Sequence, residues 1–517
     1  MLLLFGSTAA SAQTAAPVVR IQSGILRGVA GDGVERFNGV PYAAAPVGPL
    51  RWARPRAPTR WRGVRDASAH GNRCPQTATG NTPRSETEDC LFLDVVRPEK
   101  ASGAGRRAVL VYVHGGGATN GAAADHDGAE LAQVGDIIVV TVNYRLGALG
   151  FMSHPAIAAE SGSGAGNYGV MDVALALRWV ARNIASFGGD PGKVTLAGES
   201  AGGTVICPII VADGPRFFRA AILSSDDCQH DVDDLRTTTA RALALSHRLG
   251  CDTAANPVAC LRGRSVAEIL DAGGFAAPHV GGQDAPGERA FDAIQAGRWR
   301  PIPILVGANA DEGRIAGLAY RRYDGEAYAA WLRRLVGEEA AARIAAAYPI
   351  PTDTGPFASA YTISQVLTDS GMRGYGGCAS LALARNMARA APVYFYQFED
   401  PNSPMGPAPE GWRFGAAHGA ELAYLWPGGG FSRLSHRFDP PQGVLSQEMI
   451  RRWAAFVRTL SPNADGLSTW TPLAQDNAYM ALEPAQGGHM RSVAAFAAAH
   501  RCALWFGMPW IMDRGEA

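Results

Sequence analysis

Short β-rich runs alternate along the chain with longer stretches in which apolar residues recur at helical spacing. Val19 to Val29 and Val34 to Val40 predict an N-terminal hairpin or meander, and Leu91 to Val96, Val109 to Val113 and Ile137 to Val142 predict strands. Between Val173 and Phe187 the apolar residues Val173, Leu177, Val180 and Ile184 keep a helical period. Val194, Thr195 and Leu196 then form a β-branched and aliphatic run, and Ala201 to Ile210 continues in small and apolar residues suited to a packed helix. Ala220 to Leu223, Ile302 to Val306 and Val393 to Phe398 extend the series of buried strands. Strand, helix, strand in alternation argues an α/β fold, a large and mostly parallel central sheet flanked by helices. Ligands on such sheets sit beyond the carboxyl ends of the strands.

With 517 residues, 47% of them hydrophobic and 18% charged, the chain has ample material for a large core. No tandem repeat or long low-complexity linker divides it, so residues 17–517 are expected to form a single α/β domain. The formal net charge is zero, no basic block suits a nucleic-acid surface, and no apolar stretch beyond the N-terminus could span a bilayer. Small-molecule chemistry is left, with monomer and homodimer both open. The first residues, M-L-L-L-F-G-S-T-A-A-S-A-Q, combine an apolar run with the A-x-A site Ala10-Ser11-Ala12, so residues 1–16 read as a signal peptide without the usual positive start, or as a disordered tail. Of the eight cysteines, Cys74/Cys90 and Cys251/Cys260 each bracket a short polar segment, as a loop-closing disulfide would in an oxidising compartment. A secreted or periplasmic protein is the expectation; eight reduced thiols in a cytosolic enzyme are the alternative. No Cys or His cluster has zinc spacing.

The chemically useful residues fall at the predicted strand ends. K-V-T-L-A-G-E-S-A-G-G at 193–203 places Ser200 in a G-x-S-x-G motif at a strand-to-helix turn, where Gly198 and Gly202 relieve crowding. In a chain with 62 glycines the motif alone is weak, and its context has to carry it. After Val109 to Val113 comes His114-Gly115-Gly116-Gly117, a run whose backbone N–H groups can converge on one oxygen, as an oxyanion hole requires. A phosphate loop would need G-x-x-x-x-G-K-[ST], which does not follow. After Ile302 to Val306 come two adjacent acids, Asp311 and Glu312. After Val393 to Phe398 a Pro/Gly-rich loop ends at His418. The competing histidines downstream are His436, His489 and His500; His489 is placed in a Gly-rich turn and His500 in an alanine-rich helical stretch, and neither follows a core strand as His418 does. The order Ser200, an acid near 312, His418 is that of α/β-hydrolases. A serine hydroxyl is a poor nucleophile at neutral pH, a histidine can take and return its proton, and a carboxylate fixes the imidazole tautomer.

Nine stretches carry a resemblance to a known family. They are F-N-G-V-P-Y-A-A-A-P-V-G-P-L-R-W at 37–52, E-D-C-L-F-L-D at 88–94, H-G-G-G at 114–117, N-Y-R-L-G-A-L-G-F at 143–151, G-N-Y-G-V-M-D at 166–172, F-G-G-D-P at 187–191, G-E-S-A-G-G at 198–203, D-E-G at 311–313 and H-G-A-E-L at 418–422. The chain resembles the type-B carboxylesterases, the cholinesterase-like α/β-hydrolases, along most of its length. The resemblance implies Ser200 as nucleophile, Glu312 rather than Asp311 as the acid and His418 as base. It also implies oxyanion donors from the backbone N–H groups of Gly116, Gly117 and Ala201, and Glu199 on the leaving-group side of the pocket, a solvated acid being the alternative for Glu199. It pairs Cys74 with Cys90, Cys251 with Cys260 and Cys378 with Cys502, and leaves Cys207 and Cys228 either free or joined to each other. Arg51 with Glu88 and Arg145 with Asp172 match ion pairs that look structural in the family.

Departures from the family pattern bear on substrate. The loop between Cys74 and Cys90 has no tryptophan to face a quaternary ammonium, so choline esters are not expected to be preferred. Ala118 stands where an aromatic residue commonly follows the glycine run, which is expected to widen the pocket. Ser224-Ser225-Asp226-Asp227 replaces the usual Ser-Gly segment, which brings Ser225 and added negative charge toward the substrate unless both acids are solvated. A Ser-Lys esterase would need S-x-x-K, but the only lysines are Lys100 and Lys193, and neither lies three residues after a serine. A non-catalytic binding module of the same fold would lack the serine or the histidine, and both are present. The expected activity is therefore carboxylic ester hydrolysis through an acyl-enzyme, on a small-molecule ester, without metal or organic cofactor. Carbamates, lactones and polyesters stay open, because fold and triad do not set the leaving group.

Overall fold

In a computed structural model, residues 16–508 are described apart from 81, 100–104, 163, 213–216, 230–231, 275–277, 282–286, 352–354 and 373. The signal-peptide reading of residues 1–16 thus lies, save for residue 16, outside the described residues. The strands run in chain order as β1 (Val18–Ile21), β2 (Gly24–Arg27), β3 (Val29–Gly31), β4 (Val34–Pro41), β5 (Val64–Asp66), β6 (Phe92–Pro98), β7 (Arg107–Val113), β8 (Ile138–Val142), β9 (Gly189–Glu199), β10 (Ala220–Ser224), β11 (Ile304–Asn309), β12 (Val393–Phe398), β13 (Ala478–Glu483) and β14 (Gly487–Ser492). Three of them, β1, β2 and β5, form a small sheet of their own, and the other 11 join in the order β14-β13-β12-β11-β10-β9-β7-β8-β6-β4-β3. The centre from β8 to β13 is parallel throughout. Both edges are antiparallel.

Both faces of this sheet are buried, which is why its strands read as nearly unbroken apolar runs. In β7, Val109, Val111 and Val113 point into one core and Leu110 and Tyr112 into the other. The first core is covered by the helices Tyr168–Asn183 and Ala201–Val211, which contribute Val173, Leu177, Val180, Val205 and Ile206. The second is covered by the helix Pro440–Thr459, which contributes Leu445, Met449, Trp453 and Phe456. That helix starts on a capping box, Asp439 with Gln442, and has proline in its first turn, so its first N–H groups are satisfied or absent.

Several boundaries differ from the sequence reading for identifiable reasons. β11 begins at Ile304, not Ile302, because Pro303 has no N–H to give the ladder; its carbonyl instead accepts from Ala221 (3.1 Å). The helix expected from Val173 begins at Tyr168, since the buried charge of Asp172 interrupts the apolar pattern at its start. It tightens into a 3-10 turn over Ile184–Phe187. His489 lies within β14, not in a turn, and the hairpin β13–β14 escaped the sequence reading. The three implied disulfides are present, and Cys207 is bonded to Cys228. Among the described residues no helix is long and apolar enough to cross a membrane.

Candidate active site

β9 ends at Glu199 and the helix Ala201–Val211 follows one residue later, so Ser200 makes the whole turn alone, at φ 53° and ψ −131°. Such a conformation is strained for a residue with a β-carbon and persists only where the surroundings enforce it. Here the Ser200 N–H donates to the Ser224 carbonyl at the end of β10 (2.9 Å). The backbones meet too closely for side chains. A Cβ on Gly202 would stand 2.1 Å from the Val113 carbonyl oxygen, and one on Gly198 would stand 2.5 Å from the Gly202 backbone.

Three strand ends then converge. His418 Nε2 lies 2.7 Å from Ser200 Oγ, and His418 Nδ1 lies 2.6 Å from Glu312 Oε2. Glu312 is fully buried and its other oxygen accepts the Asn309 N–H at 2.8 Å. In the neutral imidazole a carboxylate so placed holds the proton on Nδ1 and leaves Nε2 to accept from the serine hydroxyl. The neighbouring acid has a different task. Asp311 pairs with Arg314 (2.8 Å) and accepts the Ala416 N–H (3.0 Å), while its own N–H donates to the Ala416 carbonyl (2.9 Å). It fastens the loop that carries His418.

The glycine run after β7 lies on the same elbow. A Cβ on Gly115 would stand 2.4 Å from Glu199 Oε2 and 3.1 Å from Ser200 Cβ. Gly116 and Gly117 turn the chain at φ 97° and 60°, and Ala201 opens the helix directly after Ser200. His114 is stacked on Tyr144 (centroids 4.7 Å apart), and burial pushes its imidazole down to about 4, so it is neutral at physiological pH.

Carboxyl groups are concentrated around His418. Glu199 is buried, not solvated, with Oε1 3.6 Å from His418 Nε2. Burial pushes it up to about 7, opposed by His418 and reinforced by Glu312 and Asp226. Glu421, which accepts from Asn309 Nδ2 (2.5 Å), is pushed up to about 8 by burial and then by Glu199 and Glu312. For His418 itself burial acts downward, and the combined fields of Glu312, Glu199 and Glu421 outweigh it, leaving the imidazole raised to about 9. Three carboxyl groups and one imidazole share this buried space, so their protons are interdependent.

The expected pocket residues fall as follows. Ala118 is fully buried in the core of the first sheet face, at φ 52°, with its carbonyl accepting the Gly147 N–H (2.7 Å). Ser225 is buried at φ 52°, its N–H donating to the Gly307 carbonyl (2.8 Å). The solvated reading of Asp226 and Asp227 fails: both are buried, and Asp226 accepts from Thr204 Oγ1 (2.7 Å) and the Cys228 N–H (2.8 Å). Sequence reasoning passed over Asn309 and Glu421, although both lie within or beside quoted motifs. It also passed over Tyr375, whose ring lies on the imidazole of His418 with centroids 3.8 Å apart. Among the described residues the one trio with metal-ligand proximity is Cys207, Asp226 and Cys228, and its two sulfurs are already bonded to each other.

Residues 15–505 match the model of the carboxylesterase family. The chain is similar to a fumonisin B1 esterase of Sphingopyxis macrogoltabida, 34% identical over 90% of this chain and 87% of that protein. It is similar to a human cocaine esterase, 30% identical over 92% of this chain and 87% of the relative. Among solved structures it is similar to a PNB esterase, with a TM-score of 0.76 and 27% identity, covering 94% of this chain and 100% of that one.

Proposed function

The chain belongs to the carboxylesterase family and is a carboxylic ester hydrolase, and on that premise we propose that it works by two-step acyl transfer through Ser200, His418 and Glu312. The observation that carries this reading is the unbroken line of contacts from Ser200 Oγ through His418 to buried Glu312, at 2.7 and 2.6 Å. Ser200 attacks the ester carbonyl while His418 takes its proton. The N–H groups of Gly116, Gly117 and Ala201 hold the oxyanion, a contribution of about 3 to 4 kcal/mol for a single donor in comparable hydrolases. The alcohol leaves with the proton from His418, and water repeats the sequence on the acyl-enzyme. Glu312 keeps the imidazole in the productive tautomer and steadies its charge.

Residues 17–517 act in this reading as one catalytic unit. The four disulfides support an oxidising working place, secreted or periplasmic, and protein isolated with eight free thiols would remove that part of the reading. The central test is Ser200→Ala, expected to lower turnover on a p-nitrophenyl ester by about a millionfold and to abolish labelling by a fluorophosphonate. Near-wild-type activity in that variant would refute the assignment. A panel of esters varied separately in acyl and alcohol size then defines the substrate.

A further inference from the structure

We infer that Tyr375 is a positioning residue for His418, its ring face holding the imidazole in register and favouring the imidazolium formed when Ser200 gives up its proton. The inference rests on the reading of Ser200, His418 and Glu312 as the reacting groups. The two rings lie nearly parallel, with centroids 3.8 Å apart and an interplanar angle of 22°. Both nitrogens of His418 are engaged in the ring plane, by Ser200 and Glu312. Tyr375 meets the ring on its face. An aromatic face carries negative quadrupole density and attracts a cation more than a neutral ring. The contact is therefore stronger once the proton has moved, the condition for an interaction to speed the chemical step.

The placement of Tyr375 is enforced by backbone. It lies in Gly374-Tyr375-Gly376-Gly377, where Gly376 has φ 131° and a Cβ there would stand 2.2 Å from the Thr368 carbonyl oxygen. The Gly374 N–H donates to the Gly371 carbonyl (2.9 Å), and the Gly374 carbonyl accepts the Asp227 N–H (3.1 Å). Thr368 belongs to the helix Ala358–Ser370, and its Oγ1 accepts the Gly313 N–H (2.9 Å) one residue after Glu312. One helix thus supports both the segment carrying Tyr375 and the turn carrying Glu312. The titratable groups facing His418 are Glu312 from the turn after β11, Glu199 from the end of β9 and Glu421 from its own turn. Tyr375 adds a contact that is not a carboxylate.

The test compares Tyr375→Leu and Tyr375→Phe by the pH dependence of kcat and kcat/KM on a p-nitrophenyl ester. Tyr375→Leu is expected to lower kcat roughly 3- to 30-fold, the range of a cation–aromatic contact, with KM little changed. Its acid limb should move to lower pH, because an imidazolium that loses its partner gives up its proton more readily. Tyr375→Phe keeps the face and should follow the wild type. A merely loosened site would lower the rate without moving the limb, and the midpoint of the limb does not depend on the folded fraction. An unmoved limb in Tyr375→Leu overturns this inference alone, as does a loss in Tyr375→Phe equal to that in Tyr375→Leu. Retained activity in Ser200→Ala would bring down the triad reading and this inference with it.

Discussion

At the scale of single residues, any charge on Glu199 acts directly on His418, whose Nε2 lies 3.6 Å away. In the proposed mechanism His418 works as a base only when it is neutral, so activity is expected to rise with pH as His418 loses its proton, and carboxylates that raise its pKa push that rise to higher pH. Glu199→Gln removes one of them. The expected outcome is an acid limb of kcat/KM moved to lower pH, hence a larger share of maximal activity retained on the acid side. A limb that stays in place would show that Glu199 keeps its proton across the range and contributes no charge. The roles of the two adjacent acids, Asp311 and Glu312, could not be separated by residue type, because both are carboxylates after the same strand. The family resemblance chose Glu312; its carboxylate lies against His418 Nδ1, while that of Asp311 accepts the Ala416 N–H. Tyr375 was illegible for another reason. Nothing in a tyrosine between glycines announces that its ring covers a histidine 43 positions later (418 − 375).

At the scale of elements, the sheet is joined to its covering helices by charge as well as by apolar surface. Arg145, just after β8, donates to Asp172 of the helix Tyr168–Asn183 through its backbone N–H (3.0 Å), Nε (2.8 Å) and Nη2 (2.8 Å). Its Nη1 donates to the Ala53 carbonyl at 2.8 Å. Side-chain exposure is 3% and 0%, so neither partner can turn to water when the other is removed. Arg145→Met is therefore expected to cost about 3 to 5 kcal/mol, read from urea denaturation, where an exposed pair would be worth about 1 kcal/mol or less. A shift within that smaller range would mean that water reaches Asp172. The same burial explains why the start of this helix was misread: a pattern search treats aspartate as a surface residue. The parallel strands were legible because both faces are buried and no polar alternation interrupts them. The hairpin β13–β14 was not, since Arg491, His489 and the glycines of β14 present no apolar run.

At the scale of the whole molecule, the order of the parts along the chain matters as much as their meeting in space. Ser200 precedes β10, while Glu312 and His418 follow it, and the fold brings them together across the parallel centre of the sheet. That order was readable from sequence. The pairing of Cys207 with Cys228 was not, because spacing alone allows free thiols. The bridge has a topological consequence. Of the four disulfides, only this one spans β10, with Cys74–Cys90 wholly before it and Cys251–Cys260 and Cys378–Cys502 wholly after. A peptide bond cut anywhere between residues 207 and 228 would leave Ser200, the proposed nucleophile, on one fragment and His418, its proposed base, on the other, stapled by a single covalent link. After labelling with a fluorophosphonate, such a nicked enzyme should migrate as one tagged species without reductant. With reductant it should separate into two, the tag travelling with the N-terminal piece.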